Sequence, residues 1–429
     1  MRVRKPLALV LLLVVVVGGA IFVATKVLGP PSLTPAQVAA RAAAARARRL
    51  EATQRKDAHQ ALGLVAATLP TTPGALEPVA PDTLFRTPLP AHQVVGFVPY
   101  WTLPQVTSAD FTNSTVLSYY GVSVSGNGSL LMTGPEWGNA AATLASSAFR
   151  SFVVDAHAAQ TRVLLTLASA DDAAIAGLVR DPAATSARVA TALSALVKQH
   201  GLDGVDIDIE GDKQADRAGF VRFVGDLATA LRAADPGGEL LLDTYAGSAG
   251  NPKDFFDVKR LARYVDEIFV EGYDMNTPQR ASATAPLVTT NLGYSETQTL
   301  MQYEAVVSPQ KLILGMPFYG YDFTTITQGP GARLTAAARV AVTFSAVTGV
   351  GRTAYWDPVA ESPYTRFSLD GKSHETYYDD PTSIALKTAL ASQFHLLGVG
   401  AWAFGMEGAD PAMLAALSGD SPVVKLPGA

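Results

Sequence analysis

The sequence predicts an α/β fold, a (β/α)₈ TIM barrel that carries a small α+β insertion and follows an N-terminal transmembrane helix. Three observations predict the barrel. Strand-like apolar runs recur eight times between residues 93 and 405. Helical patterns separate most of them. One run, "GLDGVDIDIEGD" (201–212), sets acids on one face of a strand whose other face is aliphatic. The chain has 429 residues and is 48% hydrophobic, enough for one large core.

Taken in order, the chain opens on a membrane signal. Arg2, Arg4 and Lys5 precede "LALVLLLVVVVGGAIFVA" (7–24), eighteen residues without a charge. That length spans a bilayer, and the basic flank stays inside while the rest is exported. A cleaved signal peptide is the alternative. The following "VATKVLGPP" has Lys26 where a small-residue cleavage site is wanted, so an uncleaved anchor over 1–28 is expected. Residues 29–68 are rich in alanine and arginine. Thr34, Pro35 and Gln37 form a helix-start pattern, and an exposed basic helical spacer is expected. Six prolines over 69–90 make 69–91 an extended linker. Residues 1–56 carry a net charge of +9 and the remainder −14. The acidic body disfavours nucleic-acid binding, which needs a basic excess to neutralise phosphates. The chain has no cysteine, which excludes disulfides and thiolate metal sites and is compatible with an oxidising compartment.

The barrel is expected over 92–420. Its strands are "QVVGFVPYW" (93–101), "TVLSYYGVSV" (115–124), "RVLLTLAS" (162–169), "LDGVDIDIE" (202–210), "ELLLDTYA" (239–246), "DEIFVEGYD" (266–274), "KLILGMPFYG" (311–320) and "GVGAWAFG" (398–405). Continuous apolar runs of this kind suit parallel strands covered by helices. The clearest helices are 182–200, 214–234 and 382–397. A doubly wound open sheet gives a similar string, since periodicity does not reveal closure. Residues 321–381 lack a long helix. Their "SLDGKSHETYY" reads as antiparallel strands around a Asp-Gly turn, an insertion forming one wall of a cleft.

Strand alternation puts Asp206, Asp208 and Glu210 on one face and Val205, Ile207 and Ile209 on the other. In a barrel the acids climb the interior, and Glu210 comes last, at the C-terminal mouth where such folds place their active sites. Acids so close cannot all be charged cheaply, and the company is expected to keep a proton on Glu210. A protonated carboxylic acid at a cleft mouth suits glycosidic cleavage, where the leaving oxygen must receive a proton. Clustered acids also bind calcium or magnesium, but no EF-hand loop is present. The six histidines form no His-x-x-x-His pair. No metal and no cofactor are expected.

"DGVDIDIE" matches the DxxDxDxE signature of glycoside hydrolase family 18, the chitinase family. "VVGFVPYW", "EGYD", "KLILGMPFYGYDF" and "GVGAWAFGME" resemble its first, sixth, seventh and eighth strands. The insertion and "YYDDPTSIALK" resemble the bacterial spore-germination and cortex-lytic branch. The resemblance implies retaining, substrate-assisted hydrolysis of glycans containing N-acetylglucosamine, chitin-like or peptidoglycan. It implies Glu210 as the acid, Asp208 holding the substrate acetamido group, Asp206 sharing a proton beneath, and Tyr273 bonded to the attacking carbonyl. Asp203, Asp274, Trp402, Tyr100, Trp101, Glu271 and Tyr319 are candidate substrate-binding residues. Of these, Tyr100 and Trp101 either stack on sugars or merely cover the barrel end. Tyr355 and Trp356 are weaker candidates.

The chain departs from the family pattern twice. "LTLASADD" stands where the third strand usually ends in Ser-x-Gly-Gly, so Ala168 to Asp171 are expected to reshape that wall. Glu271 replaces the methionine of Met-x-Tyr-Asp and, by alternation, points inward with Tyr273. Two other functions fit the same scaffold, a non-catalytic carbohydrate-binding protein and a wall protein that only docks partners. Lectin-like relatives typically lose the acid glutamate, which is present here as Glu210, and a docking protein would not need Glu210, Asp208 and Tyr273 together.

Overall fold

The computed structural model describes residues 10–17, 20–27, 93–132, 140–277, 279–288 and 294–420. The expected basic helix and proline-rich linker lie outside the described residues. So does most of the anchor's flanking sequence. Within the anchor itself the structure differs from expectation. Val10–Val17 and Ala20–Val27 pair as an antiparallel hairpin, with Val10 opposite Val27. Valine supplies five of the eight residues of the first strand, and β-branched residues fit a pleated strand better than a helix. No helix among the described residues is long and apolar enough to cross a membrane.

The second unit contains the barrel. Its strands are β1 (Gln93–Pro99), β2 (Val116–Val124), β3 (Arg162–Ser169), β4 (Gly204–Ile209), β5 (Glu239–Tyr245), β6 (Glu267–Glu271), β7 (Leu312–Pro317) and β8 (Gly398–Trp402). All eight fall where the sequence places them. Each pairs in parallel with its successor, and β8 pairs with β1 through Ala401 opposite Gly96. The sheet is closed, which removes the open doubly wound alternative. Leu130–Leu131 adds a short antiparallel strand to β2.

The helix Pro182–His200 shows how sequence delivers the chain to β4. Asp181 caps its start and Pro182 fills the first position, where no amide hydrogen is needed. Gly201 ends it in the left-handed region, at φ 65°. The chain then turns into β4, whose Val205, Ile207 and Ile209 are buried under the helical shell.

Phe97 and Phe269 meet edge to face inside the barrel, with ring centres 5.0 Å apart. Gly315 of β7 leaves the room: a Cβ there would lie 2.3 Å from the Phe269 ring. Phe269 therefore points inward, and Glu271, two residues on, shares its face.

The insertion is a five-stranded antiparallel sheet ordered Leu334–Thr343, Tyr319–Thr325, Lys372–Tyr377, Ser362–Leu369, Ala354–Asp357. It begins at Tyr319, two residues before the expected boundary of 321. The Asp-Gly turn is present. Asp370 and Gly371 both have positive φ, 51° and 73°, as a tight two-residue hairpin requires.

Candidate active site

The acids of β4 climb the barrel interior in three steps. Asp206 is fully buried, and its Oδ2 accepts hydrogen bonds from Ser118 Oγ (2.7 Å) on β2 and Thr166 Oγ1 (3.0 Å) on β3. Burial raises the Asp206 carboxyl to about 7, against the downward pull of those two hydroxyls. Asp208, one step up, is 4% exposed. Burial first, then the charges of Glu210, Glu271 and Asp206, push it well above the usual carboxylate range. Glu210 follows the strand's last residue. Its backbone N–H donates to Ser169 O (2.8 Å), extending the β3–β4 ladder by one bond. Its side chain is half-buried. Asp208, Glu210 and Glu271 each place one carboxylate oxygen within 4.8 Å of the others. Glu271 is therefore inward, as alternation predicts. Three oxygens at that spacing can share protons, and they also suit a hard cation.

A further acid completes the interior. Asp243 of β5 is 3% exposed, and burial plus the charges of Asp206, Asp208, Glu271 and Glu210 push its carboxyl well up. The sequence reading missed it, together with Ser118 and Thr166. The signal available was a polar residue on the inward face of a mainly apolar run: "LSY", "LTL" and "LDT" each put one there.

Tyr273 lies just beyond β6 and is 6% exposed. Burial, then Glu271, Asp243, Asp208 and Glu210, hold its hydroxyl protonated. Gly272 permits this exit: a Cβ there would lie 2.6 Å from Gly315 O. Asp274 takes a left-handed conformation at φ 57°. Its Oδ1 accepts hydrogen bonds from Tyr319 Oη (2.9 Å) and Tyr321 Oη (2.8 Å), both from the first insertion strand. Trp402 ends β8 beside the Phe97 and Tyr120 rings, whose centres are 5.4 and 5.1 Å from its own. Trp101 joins this group through Tyr120, at 5.9 Å.

Of the expected substrate-binding residues, Asp203 lies elsewhere and Tyr100 and Tyr319 have further neighbours. Asp203 precedes β4 at the opposite, N-terminal end of the barrel. Its Oδ2 meets His157 Nε2 (2.8 Å) and accepts from the Val163 N–H (2.7 Å), because the first acid of the signature lies before the strand begins. Tyr100 packs edge-on against Trp101 (ring centres 4.9 Å apart) and also lines a cavity of about 520 Å³ with Leu103, Phe111 and Phe152. Tyr319 is fully buried and acts on Asp274 rather than facing the cleft. The changed third strand also has a local use. Asp171 caps the helix Asp172–Arg180, accepting from the Ala174 N–H (2.7 Å).

The chain matches the family described as glycosyl hydrolases family 18 over residues 92–407. It is 27% identical over 231 residues to di-N-acetylchitobiase of Mus musculus, covering 48% of this chain and 62% of that protein. It is 24% identical over 223 residues to the cortical fragment-lytic enzyme of Bacillus anthracis, covering 49% and 48%. The chain thus spans between about half and two thirds of the length of these relatives. Among solved structures, a family 18 chitinase of Cycas revoluta in complex with (GlcNAc)3 superposes with a TM-score of 0.65 at 21% identity. That match covers 76% of this chain and 99% of the other, and it shows the shared fold.

Proposed function

The chain belongs to the glycosyl hydrolases of family 18, and from that premise we propose a retaining glycosidase that cleaves β-1,4 bonds of glycans containing N-acetylglucosamine, chitin-like or peptidoglycan. One observation carries the reading. Asp208, Glu210 and Glu271 converge within 4.8 Å at the barrel mouth, and Tyr273 is near enough to feel the charge of all three.

Glu210 gives its proton to the glycosidic oxygen as the bond to the anomeric carbon breaks. The substrate's 2-acetamido oxygen attacks that carbon and closes a positively charged oxazolinium ring. Asp208 accepts the acetamido N–H and stabilises the ring's charge. The Tyr273 hydroxyl, kept protonated, donates to the attacking oxygen. Glu210, now a carboxylate, takes a proton from water, which opens the ring on the same face and restores the acid. The stacked acids below hold the proton inventory: with Asp206 raised to about 7, the interior releases and accepts protons near neutrality. Trp402 forms an apolar floor and Asp274 supports the sugar.

The place of action is also part of the proposal. The uncharged run 7–24 behind Arg2, Arg4 and Lys5 supports export and a membrane anchor. A two-stranded hairpin leaves unpaired backbone groups along both edges, which lipid does not tolerate, so in a bilayer this segment would be helical. Fractionation of cells expressing the full chain tests this: recovery in the soluble cytosol would overturn it.

Glu210→Gln tests the chemistry. It is expected to lower kcat by ~10²–10⁴-fold on N-acetylglucosamine oligomers or peptidoglycan while leaving binding in place. Hydrolysis at the wild-type rate would remove Glu210 from its role. Binding by both proteins with cleavage by neither would favour the carbohydrate-binding alternative.

A further inference from the structure

The insertion sheet brings an arginine to the rim beside Asp274. In the ladder Arg339 pairs with Phe323, so it shares a face with Tyr321 and Tyr319, whose hydroxyls reach Asp274. Its guanidinium carbon lies 4.0 Å over the Tyr321 ring. Nη1 donates to Asn276 Oδ1 (2.9 Å), two residues beyond Asp274. Nε is shielded from water and has no hydrogen-bond partner. Among the described residues no carboxylate lies within ion-pair distance of Arg339. A half-buried guanidinium, fixed in plane by an aromatic ring and one amide, thus offers a ligand its Nη atoms rather than the buried Nε, at a cleft rim otherwise rich in acids.

We propose that Arg339 reads a carboxylate on the substrate, and that this carboxylate is the free lactyl ether group of N-acetylmuramic acid in peptidoglycan strands that have lost their stem peptides. The inference rests on the glycosidase reading of the cleft and selects between its two substrate classes. Chitin is uncharged, so it offers this arginine nothing but hydroxyls. In peptidoglycan strands stripped of their stem peptides every second sugar carries the ether-linked carboxylate free; where a peptide is attached, that carboxyl is an uncharged amide. A carboxylate matches the planar fork of a guanidinium with two parallel hydrogen bonds, which a lysine cannot reproduce. Stacking on Tyr321 fixes the orientation of that fork before substrate arrives, so little freedom is lost on binding. Arg339 is a specificity residue here, not a participant in bond breaking.

The test compares three glycans: strands of alternating N-acetylglucosamine and N-acetylmuramic acid, the same strands with lactyl carboxylates reduced to alcohols, and chitin oligomers of equal length. Kd is measured on Glu210→Gln and kcat/KM on wild type. The wild-type cleft is expected to favour carboxylated over reduced strands by about 10–100-fold, mostly in KM and Kd. Arg339→Met should collapse that ratio toward one, and Arg339→Lys should recover only part of it. Equal affinity for carboxylated and reduced strands would overturn the proposal without any variant, so misfolding cannot mask the result. So would a preference that survives Arg339→Met. Should wild type cleave none of the three, the glycosidase reading fails, while the Kd comparison still decides the role of Arg339.

Discussion

At the N-terminal end of the barrel, Glu239 and Glu267 are 7% and 5% exposed, and both feel the cation of Arg162. At the C-terminal mouth, Asp208 and Asp243 are 4% and 3% exposed, and every charge acting on them is another acid. Burial raises all four. At the floor Arg162 pairs with Glu239, Gln93 donates to Glu267 (2.6 Å), His157 meets Asp203 and Arg232 meets Asp266 (2.8 Å). The floor therefore spends its acids on joining strands and helices. On Asp206 the opposing influences are neutral donors, the hydroxyls of Ser118 and Thr166 and the backbone N–H of Ile207. Unopposed like charge destabilises a fold, and it is the feature that makes protons available where a leaving group needs one.

The sharpest way to break this comparison is to neutralise one acid at each end's logic. Asp208→Asn should lower kcat by ~10²-fold or more, as expected for loss of a charge that stabilises the transition state, and should not lower the thermal midpoint. A variant that unfolds while remaining active would reverse the assignment. Arg162→Met at the floor should do the opposite. Leaving Glu239 and Glu267 without their cation is expected to cost about 1–2 kcal/mol, a value kept low because the Arg162 side chain is 41% exposed, with kcat within ~3-fold of wild type. Urea denaturation and turnover on the same samples read both quantities.

Both ends also predict one pH dependence. Asp206 is raised from 3.8 to about 7 and Glu239 from 4.5 to about 8. The folded chain holds protons that the unfolded chain has released, so their contribution is fully present below about pH 4 and is lost as pH rises toward 7–8. For Asp206 alone the span is on the order of 4 kcal/mol, at about 1.4 kcal/mol per pH unit. Denaturation midpoints at pH 5, 6.5 and 8 should fall in that order; a steady climb would contradict it. The smallest expected effect is at Glu271. Glu271→Met removes one like charge from Asp208, so the alkaline limb of the kcat profile should move to lower pH. An unmoved limb would separate Glu271 from the proton inventory.

Much of this was legible before any coordinates. Alternation in "GVDIDIE" is enough to send Asp206, Asp208 and Glu210 to one side, because successive strand side chains must face opposite ways. The same rule puts Glu271 inward with Phe269 and Tyr273. The helix span 182–200 was legible, and so was the turn at Asp370–Gly371, since each depends on backbone preferences within a few residues. Signature position misled for Asp203, because alternation says nothing about which end of a strand a flanking residue occupies.

The sequence by itself determined the strand order of acids, the apolar faces and the local stops and turns, all of which follow from chemistry within a few residues. Only the tertiary structure decided that β8 closes on β1, that Asp243 of β5 joins the acids of β4, that Ser118 and Thr166 hold Asp206, and that Arg339 stands beside Asp274. Those are meetings between residues tens to hundreds of positions apart, set by register around a closed sheet, and no local pattern carries that register.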